Sequence, residues 1–130
     1  MIYLKKIKYL CEEKGYLSSI DYQRFKYFKI RRSFFINFKK KNATRGKHAH
    51  RKCSQFIVCT SGKILVNSID KKNIKKKFLL SKADQGLYIK PLVWVELTAL
   101  VKNSTAACLA NRKYEPDDYI YRLEELKDFK

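Results

Sequence analysis

The residues of this sequence best suited to chemistry are two histidines, His48 and His50, in the stretch RGKHAHRKCSQ, residues 45–55. They are the only histidines of the 130-residue chain. Side chains two positions apart on a β-strand point to the same face, so the two imidazoles would project together. Such a pair can bind a metal or move protons near neutral pH. Two surface histidines in a basic loop are the alternative, but the spacing favours a functional pair.

The residues that follow extend this pattern. Four residues separate His50 from Gln55, and six separate Gln55 from Gly62. The layout resembles the first cupin motif, with glutamine in place of its metal-binding glutamate, and Glu96 stands where a looser second motif would carry histidine. Two imidazoles and a neutral amide make a poor transition-metal site. Cys53 would face the opposite side of a continuing strand. We therefore expect no metal at this site.

The elements that must position these residues are predicted to be β-strands. From about residue 28 to 111, β-branched and aromatic residues cluster in short runs separated by turn residues. Ser61 and Gly62 are predicted to join two runs as a hairpin, and residues 70–73 form a second turn. The runs are FKIRRSFFI, QFIVCT, KILVNSI, KKFLL, GLYIK, VWVEL and AACLA.

The end of the chain has a different pattern. Residues 115–129 open with Pro116 and two aspartates, and Ile120, Leu123 and Leu126 recur at near-helical spacing, which predicts a short C-terminal helix. Many short strands and little helix indicate one all-β domain over residues 1–130, a sandwich or barrel of the jelly-roll type.

The composition limits the class of partner. The 30 lysines and arginines against 12 acidic residues give a net charge of +18, which favours polyanions, nucleotides or anionic membranes. The lysines are scattered in short runs typical of solvated surface, so nucleic acid is not favoured. The cysteines form no C-x-x-C pair, and lysines interrupt the N-terminus before a signal peptide could form. We expect a soluble cytoplasmic protein that does not associate with membranes.

Three blocks of sequence point to one family. RGKHAHRK, GLYIKPLVWVEL and KYEPDDYIYRLEEL follow one another in this order. Together they resemble the dTDP-4-keto-6-deoxyglucose 3,4-ketoisomerase family of small cupins, over about residues 15–126. The resemblance implies a metal-free jelly-roll homodimer that binds a dTDP-sugar. It also implies a 3-keto product, which serves the biosynthesis of 3-amino-3,6-dideoxyhexoses for surface glycans.

The resemblance assigns roles to particular residues. The family's histidine pair falls on His48 and His50, which would transfer protons between C3 and C4 through an enediol, with His48 as the expected base. Arg32 and Arg45 align with arginines of the family. They suit the diphosphate, because guanidinium groups match phosphate oxygens in pairs.

Four further positions complete the predicted substrate site. Gln55 and Glu96 are expected to point into the barrel toward the sugar, and Trp94 to form a wall of the sugar pocket. Lys14 stands where the family more often has arginine or tyrosine. The first hypothesis is therefore a cofactor-free sugar isomerase. A cupin that binds a nucleotide sugar without catalysis, and a basic nucleic-acid-binding β-domain, remain as alternatives.

Overall fold

β-Strands make up most of residues 1–129, the part of the chain described in the computed structural model. A 3₁₀ turn at Pro116–Asp118 precedes the last strand, and one α-helix, α1, covers Leu123–Lys127. The strands are β1 (Ile2–Lys6), β2 (Lys8–Glu12), β3 (Gly15–Ser19), β4 (Arg32–Phe38), β5 (Thr44–His50), β6 (Gln55–Ser61), β7 (Ile64–Asp70), β8 (Lys75–Leu80), β9 (Gln85–Ile89), β10 (Val93–Ala99), β11 (Ser104–Ala110) and β12 (Tyr119–Ile120).

Two five-stranded sheets form the body of the molecule. Their strand orders are β1-β9-β6-β11-β4 and β12-β5-β10-β7-β8, and β2 and β3 form a separate hairpin. Every pairing among the described residues is antiparallel. The main core lies between the sheets, where Ile57 and Cys108 of the first sheet share one cluster with Val66, Val95 and Leu97 of the second. The predicted all-β class is confirmed.

The hairpin predicted at Ser61 and Gly62 is wrong. β6 belongs to the first sheet and β7 to the second, so the turn carries the chain from one layer to the other. β6 pairs instead with β9 and β11, and Gln55–Cys59 is buried throughout, as expected for a central strand. The turn predicted at residues 70–73 does form a hairpin, in which Asn73 donates its N–H to the Asp70 carbonyl and β7 pairs with β8.

The C-terminal helix is shorter than its sequence pattern predicts. Tyr119 and Ile120 pair with His50 and Ala49 of β5 and thereby extend the second sheet. Ile120 and Leu126 are fully buried against the outer face of this sheet. Tertiary pairing therefore overrides helical periodicity over half of the segment. Within residues 1–129, no helix has the length and apolar character needed to span a bilayer.

Candidate active site

An open cavity of about 750 Å³ lies between the two sheets. Arg32, Arg45, His48 and Gln55 line it, so four of the residues chosen from the sequence share one site. Its remaining wall consists of Phe34, Phe35, Ile36, Asn37, Thr44, Gly46, Ile57, Val95, Leu97, Cys108, Tyr114, Tyr119 and Tyr121.

The histidines stand at the end of β5, where its pairing with β10 is irregular. His48 lies opposite Val95 and Gly46 opposite Glu96, and the register shifts between Val95 and Glu96. Gly46 has φ +94°, and a Cβ there would lie 2.8 Å from the Val95 carbonyl oxygen. Glycine therefore allows β5 to approach β10 closely just before the histidines. His48 lines the cavity, and His50 lies beside it with 6% of its surface exposed.

Each imidazole is oriented by its Nδ1 atom. His48 Nδ1 lies 3.0 Å from the Gly46 carbonyl oxygen, and His50 Nδ1 lies 3.0 Å from Asp118 Oδ2. Because a carbonyl and a carboxylate can only accept, both Nδ1 atoms carry the proton and both Nε2 atoms keep a lone pair. His50 Nε2 is buried and has no hydrogen-bond partner among residues 1–129. The rings are nearly perpendicular, with centroids 5.0 Å apart.

Asp118 is a site residue that sequence reasoning missed. It lies in the 3₁₀ turn, is 8% exposed, and also accepts the backbone N–H groups of Lys52 at 2.7 Å and Cys53 at 3.2 Å. Together with the Arg51 N–H that its carbonyl accepts, Asp118 makes four hydrogen-bonding contacts with β5 and the bend that follows, which fix it against His50. In the sequence, Asp118 stands out only as an acidic residue shortly after Pro116, and this pattern equally suits the start of a helix.

The surroundings keep both histidines neutral. Burial and the neighbouring His50 lower the pKa of His48 from 6.5 to about 4, although the hydrogen bond to Gly46 acts in the opposite direction. Burial also lowers the pKa of His50, the bond to Asp118 opposes this shift, and the charge of Arg32 adds to it. At neutral pH the site therefore holds two bases and no imidazolium.

Aromatic rings from the C-terminal segment close one side of the site. Tyr119 contacts His48 and His50, with ring centroids 4.8 and 4.4 Å apart, and stacks on Tyr121 at 5.5 Å. Tyr114 packs edge-on against Tyr119. These tyrosines belong to the third sequence block, but nothing in their spacing indicated that they face the histidines.

Comparison with known proteins identifies the family. The family described as "FdtA: WxcM-like, C-terminal" matches residues 1–130. The TDP-4-oxo-6-deoxy-α-D-glucose-3,4-oxoisomerase of Aneurinibacillus thermoaerophilus is 31% identical over 122 residues, which cover 94% of this chain and 87% of that protein. The chain belongs to the FdtA family of sugar 3,4-ketoisomerases.

Solved structures of this family share the fold. The ketoisomerase QdtA from Thermoanaerobacterium thermosaccharolyticum, in complex with TDP, is 30% identical with a TM-score of 0.90, over 98% of this chain and 92% of that one. A histidine-to-asparagine variant of QdtA, 29% identical with the same TM-score, is in complex with TDP-4-keto-6-deoxyglucose and aligns over 98% and 91% of the two chains. The predicted cupin-type jelly roll is confirmed.

Three residues predicted for the ketoisomerase substrate site lie outside the cavity. Trp94 packs with Ala49 and Leu126 on the outer face of the second sheet and donates its indole N–H to Glu96 at 3.3 Å. Alternation along β10 turns both side chains away from the interior. Lys14 lies at the exposed turn between β2 and β3. The expectation that Trp94 and Glu96 face the barrel interior is thereby corrected.

Cys53 also differs from its predicted position. β5 ends at His50 and the chain bends at Arg51 and Lys52, so the thiol returns to the histidine side. Donor atoms of His50, Cys53 and Asp118 lie within 4.8 Å of one another. Both Asp118 oxygens already accept N–H groups, and burial raises the pKa of the Cys53 thiol. The group is thus arranged as a hydrogen-bonded histidine–aspartate pair beside a neutral thiol.

Proposed function

We propose that this protein converts TDP-4-keto-6-deoxyglucose to a TDP-3-keto-6-deoxyhexose without a metal or organic cofactor. The observation that carries the proposal is the pair of neutral imidazoles, of which His48 lines the cavity and His50, directly behind it, is bonded to a buried carboxylate. The family assignment supports the same reaction.

The reaction needs only proton transfers. The C4 carbonyl acidifies the C3–H bond, which breaks as its proton passes to an imidazole and a C3=C4 enediolate forms. A proton is then delivered to C4, and the proton of the O3 hydroxyl passes to O4 by way of solvent, so O3 becomes the carbonyl and O4 the hydroxyl. Because both histidines start neutral, the first step must be proton removal, and the imidazolium that it creates supplies the acid for C4 after its proton has exchanged with solvent.

The two histidines differ in how well they can hold that proton. An imidazolium at His50 is stabilised by the Asp118 carboxylate, whereas one at His48 has only the Gly46 carbonyl. We therefore favour His50 as the base that carries the proton, rather than His48 as the sequence suggested. His48, which lines the cavity, is proposed to contact the sugar and to assist the transfer.

Arg45 is proposed to bind the diphosphate. It is exposed on β5, three residues before His48, and lines the cavity together with Asn37 and Thr44. An exposed guanidinium at a cavity mouth can neutralise phosphate oxygens without first being desolvated. Gln55, which is 6% exposed and faces the cavity, is proposed as a sugar contact.

The proposed activity indicates how its product is used. A 3-keto sugar is the substrate that amino transfer to C3 requires, so we propose a role in making 3-amino-3,6-dideoxyhexoses for surface glycans.

We also propose a homodimer, since β1–β3 carries exposed apolar side chains, among them Leu10, Tyr16 and Leu17. The free cysteines suit a reducing compartment such as the cytoplasm.

Proton NMR tests the activity directly. The purified protein is mixed with TDP-4-keto-6-deoxyglucose in water and in deuterium oxide. We expect a 3-keto product, solvent deuterium at C4, and an H4–H5 coupling that identifies the epimer. An unchanged spectrum together with tight TDP binding would instead indicate a nucleotide-sugar binder without catalysis, and a gel shift with DNA checks the nucleic-acid alternative.

Single exchanges separate the two histidines. We expect His50→Asn to abolish deuterium exchange at C3, and His48→Asn to slow it while leaving measurable turnover. Both variants should bind TDP like the wild type. Loss of exchange in His48→Asn with normal exchange in His50→Asn would reverse the assignment.

A further inference from the structure

Arg32 carries a charge that the protein does not neutralise. None of the salt bridges among the described residues includes Arg32. Its Nε–H is buried and has no hydrogen-bond partner within residues 1–129. The guanidinium carbon lies 5.0 Å from the ring centroid of Phe34 and 5.8 Å from that of Tyr114. The rings position the cation and leave Nε–H without an acceptor, so this donor is available to an anion that enters the cavity.

The position of Arg32 separates it from Arg45. Arg32 begins β4 opposite Ala110, which is also paired with Gln55. It therefore lies at the end of the cavity that holds Gln55, whereas Arg45 lies on β5 next to Thr44 and is paired with Leu97 of β10. Arg32 is also half-buried, and Arg45 is exposed.

The electrostatics agree with this placement. Burial lowers the pKa of His50, and the charge of Arg32 lowers it further. Burial raises the pKa of Tyr119 and of Cys108; Arg32 opposes the first shift through a hydrogen bond and its charge, and the second through its charge. A cation that acts on these groups lies near the histidine pair. The expectation that Arg32 serves the nucleotide end does not fit this location.

Negative charge develops at this end of the cavity during the proposed reaction. When C3–H breaks, the electron pair moves through C3=C4 onto O4, and the negative charge is then shared between O4 and O3 as the carbonyl moves. A fixed cation in a partly desolvated site stabilises such an oxyanion more than it stabilises the neutral ketone.

We propose that Arg32 is a catalytic residue that donates its unpaired Nε–H to the enediolate oxygen. This inference rests on the proposed isomerase activity. It makes Arg32 an electrostatic catalyst at the sugar and leaves the diphosphate to Arg45.

The test compares Arg32→Lys and Arg32→Gln with Arg45→Gln as the matched control. Turnover and C3 deuterium exchange are measured by NMR, and the TDP dissociation constant by calorimetry. For Arg32→Gln we expect kcat and C3 exchange to fall by about 10²-fold or more, as for loss of an oxyanion donor. TDP affinity should remain within about threefold, a change of about 0.6 kcal/mol at most. Arg45→Gln should show the opposite pattern, with weakened TDP binding and a smaller change in kcat.

Arg32→Lys keeps the charge but loses the planar guanidinium, so we expect an intermediate kcat and a wild-type melting temperature. In the Arg32→Ala variant, guanidinium added to the solution should restore part of the turnover. If Arg32→Lys or Arg32→Gln weakened TDP binding and left kcat unchanged, the assignment would be overturned, and Arg32 would instead be a residue that binds the diphosphate. Failure of the wild type itself to form a 3-keto sugar would overturn the proposed function and this inference with it.

Discussion

Asp118 and Gly46 give two neighbouring imidazoles different properties. Each histidine uses Nδ1 as a donor, but His50 faces a buried carboxylate and His48 a neutral carbonyl. A carboxylate fixes the tautomer of the imidazole and also stabilises its cationic form. A neutral carbonyl mainly fixes the tautomer. The difference arises because Asp118 is brought to β5 from 68 positions along the chain. The spacing of the histidines could be read from the sequence, but this partner could not.

Removing the charge of Asp118 should therefore affect catalysis strongly. We expect Asp118→Asn to lower kcat by about 10²-fold or more, because the amide cannot stabilise the imidazolium and can hold the wrong tautomer. TDP binding should be retained. Asp117→Asn is the matched control, since Asp117 is exposed in the same turn. Equal losses in the two variants would show that the turn, and not the carboxylate at His50, determines activity.

The depressed pKa of His48 makes a prediction about stability. Its folded pKa is about 4 and its ordinary value 6.5, so between these values the unfolded chain binds the proton and the folded chain does not. Stability from this group is thus lost as pH falls from about 6.5 to about 4. We expect the melting temperature to decline more steeply over this window in the wild type than in His48→Asn, measured by calorimetry. Parallel curves would mean that His48 titrates normally in the folded protein.

At the level of elements, β5 depends on one glycine to bring the histidines to the cavity. Gly46 combines φ +94° with the close carbonyl of Val95. The following residue, Lys47, also has positive φ, at 58°. This short left-handed stretch accompanies the register shift against β10 and keeps both Arg45 and His48 on the cavity wall.

Gly46→Ala should disturb both folding and catalysis. The new Cβ would meet the Val95 oxygen in a backbone conformation that alanine disfavours, so we expect a loss of about 1–3 kcal/mol of folding free energy and reduced turnover. Gly15→Ala provides the control, because Gly15 also has positive φ, at 143°, but a Cβ there would have no atom within 4 Å. Chemical denaturation measures both variants. Similar losses would attribute the effect to backbone conformation alone.

The strands also show which features of the fold can be predicted from local sequence and which cannot. The strand runs from residue 28 to 111 are recoverable because β-branched and aromatic residues mark them locally. Which strands pair is not local: Gly62 looked like a hairpin turn, yet β6 and β7 lie in different sheets. Trp94 and Glu96 were placed inside because their sequence block matched the family, whereas the alternation of β10 gives the interior to Val95 and Leu97. β1–β3 lack a clear apolar pattern and, like β5, were not among the predicted strand runs.

At the level of the whole molecule, the net charge of +18 surrounds a site proposed for a dianionic diphosphate. Part of this charge lies near the cavity mouth, because Lys39, Lys40 and Lys41 are exposed between β4 and β5, next to Asn37 and Thr44. The lysines of β8 lie at the far edge of the second sheet, away from the cavity-lining strands. Position should therefore decide which lysines attract the substrate.

Two triple exchanges test this dependence on position. Replacing Lys39, Lys40 and Lys41 by glutamine should lower kcat/KM by about threefold at low ionic strength, because long-range attraction of the substrate is weakened while kcat is unchanged. The same exchange at Lys75, Lys76 and Lys77 removes equal charge from β8 and should have a smaller effect. Raising the salt from about 0.01 to about 0.15 M shortens the Debye length from about 30 to about 8 Å, so the two variants should converge. Equal losses from both triples at low salt would show that the total charge, and not its placement at the mouth, attracts the nucleotide sugar.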